Sequence, residues 1–208
     1  MKKHNKVNAI VLAYASCAAN IADNIAPDCS NPLIAGFTGR GVLINNTDAP
    51  VFTYSGSNPR IITAVTLASG VKVAVVDNTG WSQPFNGSSI QSTDEDGMIK
   101  YDKTLVLNIP ARGAAAAKNI VEPLHKSALG FTAILEMRDR NGDGSFVVVG
   151  SKQGLKANPD GVVRNEYENG GCVVATMSCR EAEEEVVFFD TDYATTKTAF
   201  EALIAKAY

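Results

Sequence analysis

Short stretches of alternating apolar and polar residues dominate the middle of the chain. The alternation is regular in 61–68 and 71–77, as expected of strands that bury one face and expose the other. Elsewhere Val, Ile and Thr are concentrated between Gly, Asn, Asp and Pro, which is typical of strands bounded by turns. The pattern predicts strands at 42–45, 50–55, 60–68, 71–78, 103–110, 131–137 and 145–150.

A further β region is predicted close to the carboxyl end. Residues 172–190 alternate in their first half and again at their end, in the sequence EVVFFD. We interpret them as one long strand or as a hairpin, with a bulge near 180–184.

Two helices are predicted by composition and spacing. Residues 113–129 contain a run of alanine, which has the highest helix propensity, and Pro123 should kink this helix or restart it near residue 122. A second helix is predicted at 193–207, with Thr191 or Asp192 as its N-cap. Its apolar face consists of Phe200, Leu203, Ile204 and Ala207.

This order of elements predicts a mainly β (α+β) protein, a β-sandwich or partial barrel with one internal and one C-terminal helix. Strands and helices do not alternate as they would around a parallel sheet. We expect an N-terminal arm or short helix at 1–40 and one β-rich domain at 41–208. Two polar segments, 81–102 and 151–171, are predicted to be long loops of this domain, and loops of that length are usually functional or bound to a partner.

Composition narrows the possible functions. The chain has 208 residues, 45% of them hydrophobic, and a formal net charge of −3. This is enough apolar material for one substantial core, and a mildly acidic protein has little attraction for the phosphates of nucleic acids. The four cysteines form no C-x-x-C pair and are expected to be reduced and structural.

The first residues allow two interpretations. Lys2, Lys3 and Lys6 precede the apolar run AIVLAYASC, which ends at Cys17 and resembles a secretory or lipoprotein signal. The apolar run is short, so we expect residues 1–16 to be retained. Cleavage before Cys17 would instead give a secreted or lipid-anchored binding protein, or a hydrolase, and this alternative stays open. No run reaches the 18 apolar residues of a membrane span.

The sequence RDRNGDGS, residues 138–145, begins like a calcium-binding loop. Asp139, Asn141 and Asp143 occupy its first, third and fifth positions, but Gly150 stands where a bidentate Glu is required. The flanking residues are strand-like, and N-G-D-G between two strands is a strong hairpin signal. We therefore predict a hairpin turn, with these three residues as weak metal candidates only.

Candidate catalytic residues are few. The two histidines are His4, near the start of the chain, and His125, in the predicted internal helix. Neither belongs to a catalytic motif, and no G-x-S-x-G or H-E-x-x-H sequence is present. We expect a protein that is not an enzyme and that holds no cofactor.

Three segments resemble the tail tube proteins of tailed bacteriophages, which are related to the inner-tube proteins of contractile injection systems. They are DGMIKYDKTLVLNIPA at 96–111, FTAILEMRDRNGDGSFVVVGSKQGLKA at 131–157 and GCVVATMSCREAEEEVVFFD at 171–190. The resemblance covers most of residues 40–190 and lies in the order of the elements rather than in an invariant motif.

The resemblance implies a structural virion protein that is assembled in the bacterial cytoplasm. Such subunits join their sheets edge to edge into hexameric rings, which stack into a tube and contact other tail proteins. DNA passes through without specific binding, and acidic residues facing the channel would repel it. Long loops and the arm would make inter-subunit contacts, for which the candidates are Trp81, Phe85, Tyr101 and Tyr167. Another virion component, such as a head-completion or capsid-decorating protein, is the alternative.

Overall fold

The computed structural model describes residues 34–78, 85–93, 99–110, 113–164 and 172–208. In this part of the chain, two β-sheets pack face to face and two helical regions flank them. The prediction of a mainly β, sandwich-like fold with one internal and one C-terminal helix is confirmed. The predicted arm lies largely outside the described residues.

The larger sheet has seven strands in the order β2-β3-β11-β8-β7-β1-β4. Five of its six neighbouring strand pairs are antiparallel, and only β3 and β11 run parallel. Its strands are β1 (Phe37–Asn45), β2 (Val51–Tyr54), β3 (Ile61–Thr66), β4 (Ala74–Asp77), β7 (Phe131–Met137), β8 (Phe146–Val149) and β11 (Val186–Phe188).

The smaller sheet has four strands, all antiparallel, in the order β5-β6-β10-β9. They are β5 (Phe85–Thr93), β6 (Ile99–Ile109), β9 (Lys156–Arg164) and β10 (Val173–Glu181). β6 and β10 lie in its centre and pair without a register shift from Tyr101 to Ile109.

One apolar core fills the space between the sheets. Alternate residues of β6 and β10 point into it because successive side chains of a strand face opposite sides. The larger sheet contributes residues of β1 and β7, and the internal helix adds Val121 and Leu124. The buried members from β6 and β10 are Leu105, Leu107, Ile109, Val173, Ala175 and Met177.

A second core lies on the other face of the seven-stranded sheet, under helix α3 (Tyr193–Ile204). Phe200 and Leu203 of this helix are buried against β1, β7 and β8, as the predicted apolar face requires. Phe146 of β8 is fully buried and its ring centroid lies 5.0 Å from that of Phe200. Asp192 is the N-cap, because its carboxylate accepts a hydrogen bond from the Thr195 amide at 2.7 Å.

The internal helix has the irregularity that Pro123 predicts. It consists of α1 (Gly113–Ala116), a π-helical turn (Ala117–Val121) and α2 (Glu122–Lys126). Proline has no amide hydrogen to donate to the preceding turn, so the regular α-helical ladder cannot continue through it. The helix returns to α geometry at Glu122, as predicted.

Two predictions on local structure were wrong. The segments 81–102 and 151–171 are not loops in their described parts, because β5 and the start of β6 lie in the first and β9 lies in the second. The polar residues of both segments are typical of loops. β5 and β9 are nevertheless strands, because strands at the edge of a sheet can be polar and need not alternate with apolar residues. The prediction of one long strand or a hairpin at 172–190 is also wrong, since the segment forms two strands, β10 in the smaller sheet and β11 in the larger one.

Candidate functional site at the β5 edge

The calcium-like sequence is the turn of a hairpin, as predicted. β7 and β8 pair antiparallel on either side of it, and Gly142 has a φ of 68°. The Asp139 carboxylate accepts a hydrogen bond from the Asn141 amide at 3.0 Å, which shapes the turn. Asp143 begins a short 3₁₀ turn. Among the described residues, no group of three or more His, Cys, Asp or Glu side chains could hold a metal ion.

The four aromatic contact candidates have different positions. Trp81 and Tyr167 lie outside the described residues. Phe85 is 5% exposed and packs edge to face on Phe37, with ring centroids 5.8 Å apart, so it is a core residue and offers no surface to a neighbouring subunit. Tyr101 is half-buried on β6, and its role as a contact stays a prediction.

The most unusual feature of the fold is the outer edge of the smaller sheet at β5. This strand has nine residues, FNGSSIQST, with no charge and no proline. It pairs with β6 in unbroken register from Phe85 to Thr93. Residues 86–91 are exposed, and Ile90 has an exposed fraction of 65%. Long edge strands of this kind present unpaired amides and carbonyls to any other strand.

The other described edges are better protected against pairing. β9, at the opposite end of the same sheet, contains Lys156, Pro159 and Asp160, and its register shifts between Ala175 and Met177 of β10. β2 and β4, at the ends of the larger sheet, have only four residues each. Charge, proline, bulges and shortness all disfavour edge-to-edge association. β5 therefore stands out as the longest unprotected edge in the described part of the chain.

A cleft of about 210 Å³ opens beneath β5, between the two sheets. The inward positions of β5 are those whose cross-strand partners are the buried Leu107, Leu105 and Lys103. Phe85 fills the first of these positions, but Gly87 and Ser89 occupy the next two and leave a gap. The far wall is apolar, and the mouth carries two carboxylates; the lining includes Phe37, Leu135, Val147, Val149, Glu184 and Glu185.

An ion pair is buried beside this cleft. Lys103 Nζ donates to Glu181 Oε2 at 2.7 Å, and the two side chains are 5% and 0% exposed. The second oxygen of Glu181 accepts a hydrogen bond from the Lys152 amide at 3.1 Å. Sequence reasoning missed this pair, because Glu181 lies in an acidic run that suggests a solvated surface. The available signal was the period of two in β6 and β10, which places both residues on the inward face.

The two described cysteines are unsuited to thiolate chemistry. Cys172 is buried, and both are free thiols. Burial, and to a lesser extent the nearby Glu181 carboxylate, raise the pKa of the Cys179 thiol to about 12. Since the thiolate is the reactive form, Cys179 is inert at neutral pH.

A second polar cluster fastens α3 to the larger sheet. Glu136 of β7 is 2% exposed and accepts hydrogen bonds from Tyr193 Oη at 3.0 Å and Lys197 Nζ at 2.6 Å. Beside it, Arg40 of β1 binds both carboxylate oxygens of Glu201, at 2.6 and 2.9 Å. The hydrogen bond from Arg40 lowers the pKa of Glu201 below its ordinary value. The cluster is internally satisfied, so it stabilises the docked helix rather than forming a reactive site.

The Arg40–Glu201 pair predicts a pH-dependent contribution to stability. A lowered folded-state pKa means that the contribution is present above the ordinary Glu value of 4.5 and is lost as the pH falls through the lowered value. Because Glu201 is 40% exposed, we expect only about 0.5–1 kcal/mol. Urea unfolding of the wild type and Glu201→Gln should show this difference at pH 6 and a smaller one at pH 3. A difference that does not change with pH would contradict the assignment.

Comparison with known proteins adds no relative. No protein-family model, no curated protein and no solved structure gives a significant match to this chain. Among the described residues, no helix is long and apolar enough to cross a membrane.

Proposed function

We propose that this chain is a structural subunit of a bacteriophage tail tube, in which copies join through the edges of their four-stranded sheets. The observation that carries the proposal is the β5 edge: nine uncharged residues in unbroken register with no partner on their outer side among the described strands. Pairing with a strand of another copy would satisfy the outward amides and carbonyls, and a closed ring of copies leaves no free edge.

The two sheets differ in a way that supports this arrangement. The seven-stranded sheet is covered on its outer face by α3, whose Phe200 and Leu203 are buried there. The outward positions of β6, which alternate with its buried residues, are only half-buried. These positions are Asp102, Thr104, Val106 and Asn108. Since none of these described positions is fully buried, this face of the four-stranded sheet is available to line a channel when the sheets join.

The described residues on this outward face of the four-stranded sheet carry charges of both signs. Asp102 is paired with Arg180 at 2.6 Å, and the neighbouring outward residues are mostly hydroxyls, amides and valines. Lys100 and Lys156 add positive charge on the same face. This differs from the acidic channel that the resemblance implies. A ring repeats both lysines in every copy, and affinity depends on the number of phosphates neutralised, so these lysines count against a channel that does not bind DNA.

Electron microscopy and sedimentation velocity of the purified protein test the proposal. We expect the wild type to form rings or stacked tubes at high concentration. Ile90→Lys places a charge on β5 and should leave the protein monomeric, because an edge charge disfavours strand pairing. The matched control is Val51→Lys on β2, where the replaced side chain is 60% exposed, close to the 65% of Ile90.

Two results would count against the proposal. One is a wild type that stays monomeric at every concentration and salt condition. The other is assembly by Ile90→Lys at the same concentration as by Val51→Lys. Circular dichroism and the urea midpoint of each variant establish that the changes act on assembly and not on folding.

A further inference from the structure

Three Asn-Gly pairs occur in the chain, at 86–87, 141–142 and 169–170. Such a pair can react within itself, because the glycine amide nitrogen can attack the side-chain carbonyl carbon of the asparagine. Glycine lacks the Cβ that would obstruct this approach. The attack closes a five-membered ring, so its rate depends on how readily the backbone brings the two atoms together. The structure describes the first two pairs and places them in opposite environments.

Asn141 and Gly142 lie in the exposed turn between β7 and β8. The Gly142 carbonyl accepts a hydrogen bond from Ser145 Oγ at 3.1 Å, whereas the Gly142 amide, which is the attacking group, donates none to the described residues. The Asn141 side chain also has no hydrogen-bond partner among them, and only its backbone amide is bound, by Asp139 Oδ1 at 3.0 Å. Ring closure therefore requires neither reacting group to leave a partner in the described part of the chain.

Asn86 and Gly87 lie within β5, where the backbone is fixed by its pairing with β6. The register is unbroken from Phe85 to Thr93, and Gly87 is paired with the buried Leu105. An extended strand has a ψ of about +135°, which turns the next amide nitrogen away from the asparagine side chain. Reaction here requires this part of β5 to leave the sheet first, so it proceeds only from a locally opened state.

We infer that Asn141 is a site of spontaneous deamidation, which the fold permits in the β7–β8 turn and suppresses in β5. The Gly142 nitrogen gives its proton to hydroxide and forms a bond to Cγ of Asn141. The bond between Cγ and Nδ2 then breaks, Nδ2 takes a proton from water, and ammonia leaves. Water adds to either carbonyl carbon of the cyclic imide, and ring opening gives aspartate or isoaspartate. Nothing is oxidised or reduced, and water is the only other reactant consumed.

Both products change the turn. Each adds a carboxylate between those of Asp139 and Asp143, and like charges so close together repel each other. Isoaspartate also inserts the side-chain methylene into the backbone, which lengthens the connection between β7 and β8. We therefore expect the isoaspartate form to unfold at a lower urea concentration than an Asn141→Asp variant, which carries the same charge on an unaltered backbone.

Peptide mapping of the full-length protein tests the inference. The protein is incubated at pH 8, digested in acid, and each peptide is examined for the mass gain of about 1 Da that replacing an amide with a carboxyl group produces. In the folded protein, we expect Asn141 to react at least about tenfold faster than Asn86. The reaction should be slower at pH 6, because the Gly142 amide must lose its proton. In urea the two rates should become similar, since both asparagines precede glycine and neither backbone is then fixed.

Two variants identify the reacting group. Asn141→Gln keeps the amide but would have to close a six-membered ring, so it should remove the mass gain at position 141. Asn86→Gln is the matched control and should leave the rate at Asn141 unchanged. Circular dichroism establishes that both variants are folded.

The comparison of folded and unfolded protein decides the outcome. Equal rates at Asn141 and Asn86 in the folded protein would overturn the inference. So would an Asn141 that stays unmodified over a period in which both residues react in urea. A preference for Asn141 that is just as large in urea would show that the local sequence, and not the fold, selects the site. Because monomeric protein suffices for every measurement, these results do not depend on the proposed assembly.

Discussion

Replacing Lys103 with methionine is expected to lower the free energy of unfolding by about 3–5 kcal/mol, the usual cost of removing one partner of a buried ion pair. Methionine keeps the length and apolar stem of the lysine side chain, so little packing is lost. The carboxylate of Glu181, with 0% of its side chain exposed, would retain only the hydrogen bond from the Lys152 amide. The loss in free energy of unfolding therefore arises from a buried carboxylate that has no counter-ion. Equilibrium urea unfolding at pH 7 measures this loss.

A second variant isolates the charge from the packing. Lys103→Met combined with Glu181→Gln removes both charges and leaves an oxygen for the Lys152 amide, so it should recover at least half of the loss. Lys126→Met breaks the exposed Lys126–Glu122 pair and should cost at most about 0.5 kcal/mol. If the double variant is no more stable than Lys103→Met, the loss of stability comes from packing and not from the unpaired Glu181 carboxylate.

Gly154→Ala is expected to destabilise the protein by about 2–5 kcal/mol, because two penalties combine at this position. Its φ of +75° is unfavourable for a residue with a Cβ, which costs about 1–2 kcal/mol. In addition, the new Cβ would overlap the carbonyl oxygen of Leu129, and this contact involves backbone that must shift. Overpacking of this kind costs about 1–3 kcal/mol.

Gly70→Ala is the matched control for this prediction. Gly70 has a φ of +81°, close to that of Gly154, but no atom lies within 4 Å of the position of its Cβ. Only the backbone penalty applies there, so Gly70→Ala should cost about 1–2 kcal/mol. Thermal or urea unfolding measures both variants. Similar losses of stability would show that the contact with Leu129 is not the reason that position 154 requires glycine.

The buried ion pair and the cleft have a common origin in the pairing of β5, β6 and β10. Lys103 lies between Ser89 of β5 and Cys179 of β10 in the register, at the point where the inward side of β5 has no large side chain. A buried ammonium group such as that of Lys103 needs hydrogen-bond acceptors, which water would otherwise provide. The Glu181 carboxylate of β10 accepts a hydrogen bond from Lys103 and neutralises its charge, so the cleft wall is close to neutral. Among the described residues that line the cleft, the remaining negative charge comes from Glu184 and Glu185.

The sequence by itself determined those elements whose physical cause is local. Hydrophobic alternation located β3 and β4, and the concentration of Val, Ile and Thr between turn residues located β1, β2, β6, β7 and β8. The N-G-D-G turn, the π-helical interruption before Pro123 and the Asp192 cap follow from the backbone preferences of single residues. Together they were sufficient to predict the fold class.

Only the tertiary structure decided which strands share a sheet and what their side chains contact. β5 and β9 are polar edge strands, and the hydrogen bonds that define them come from β6 and β10. The paired residues lie up to 22 positions apart along the chain, as in the pairs Phe85–Leu107 and Lys156–Ser178. The partner of Lys103 and the burial of Phe85 depend on the same pairing. Local sequence sets backbone preference and periodicity, whereas long-range packing sets the order of strands in a sheet. The candidate assembly edge at β5 follows from that order, so the sequence alone could not predict it.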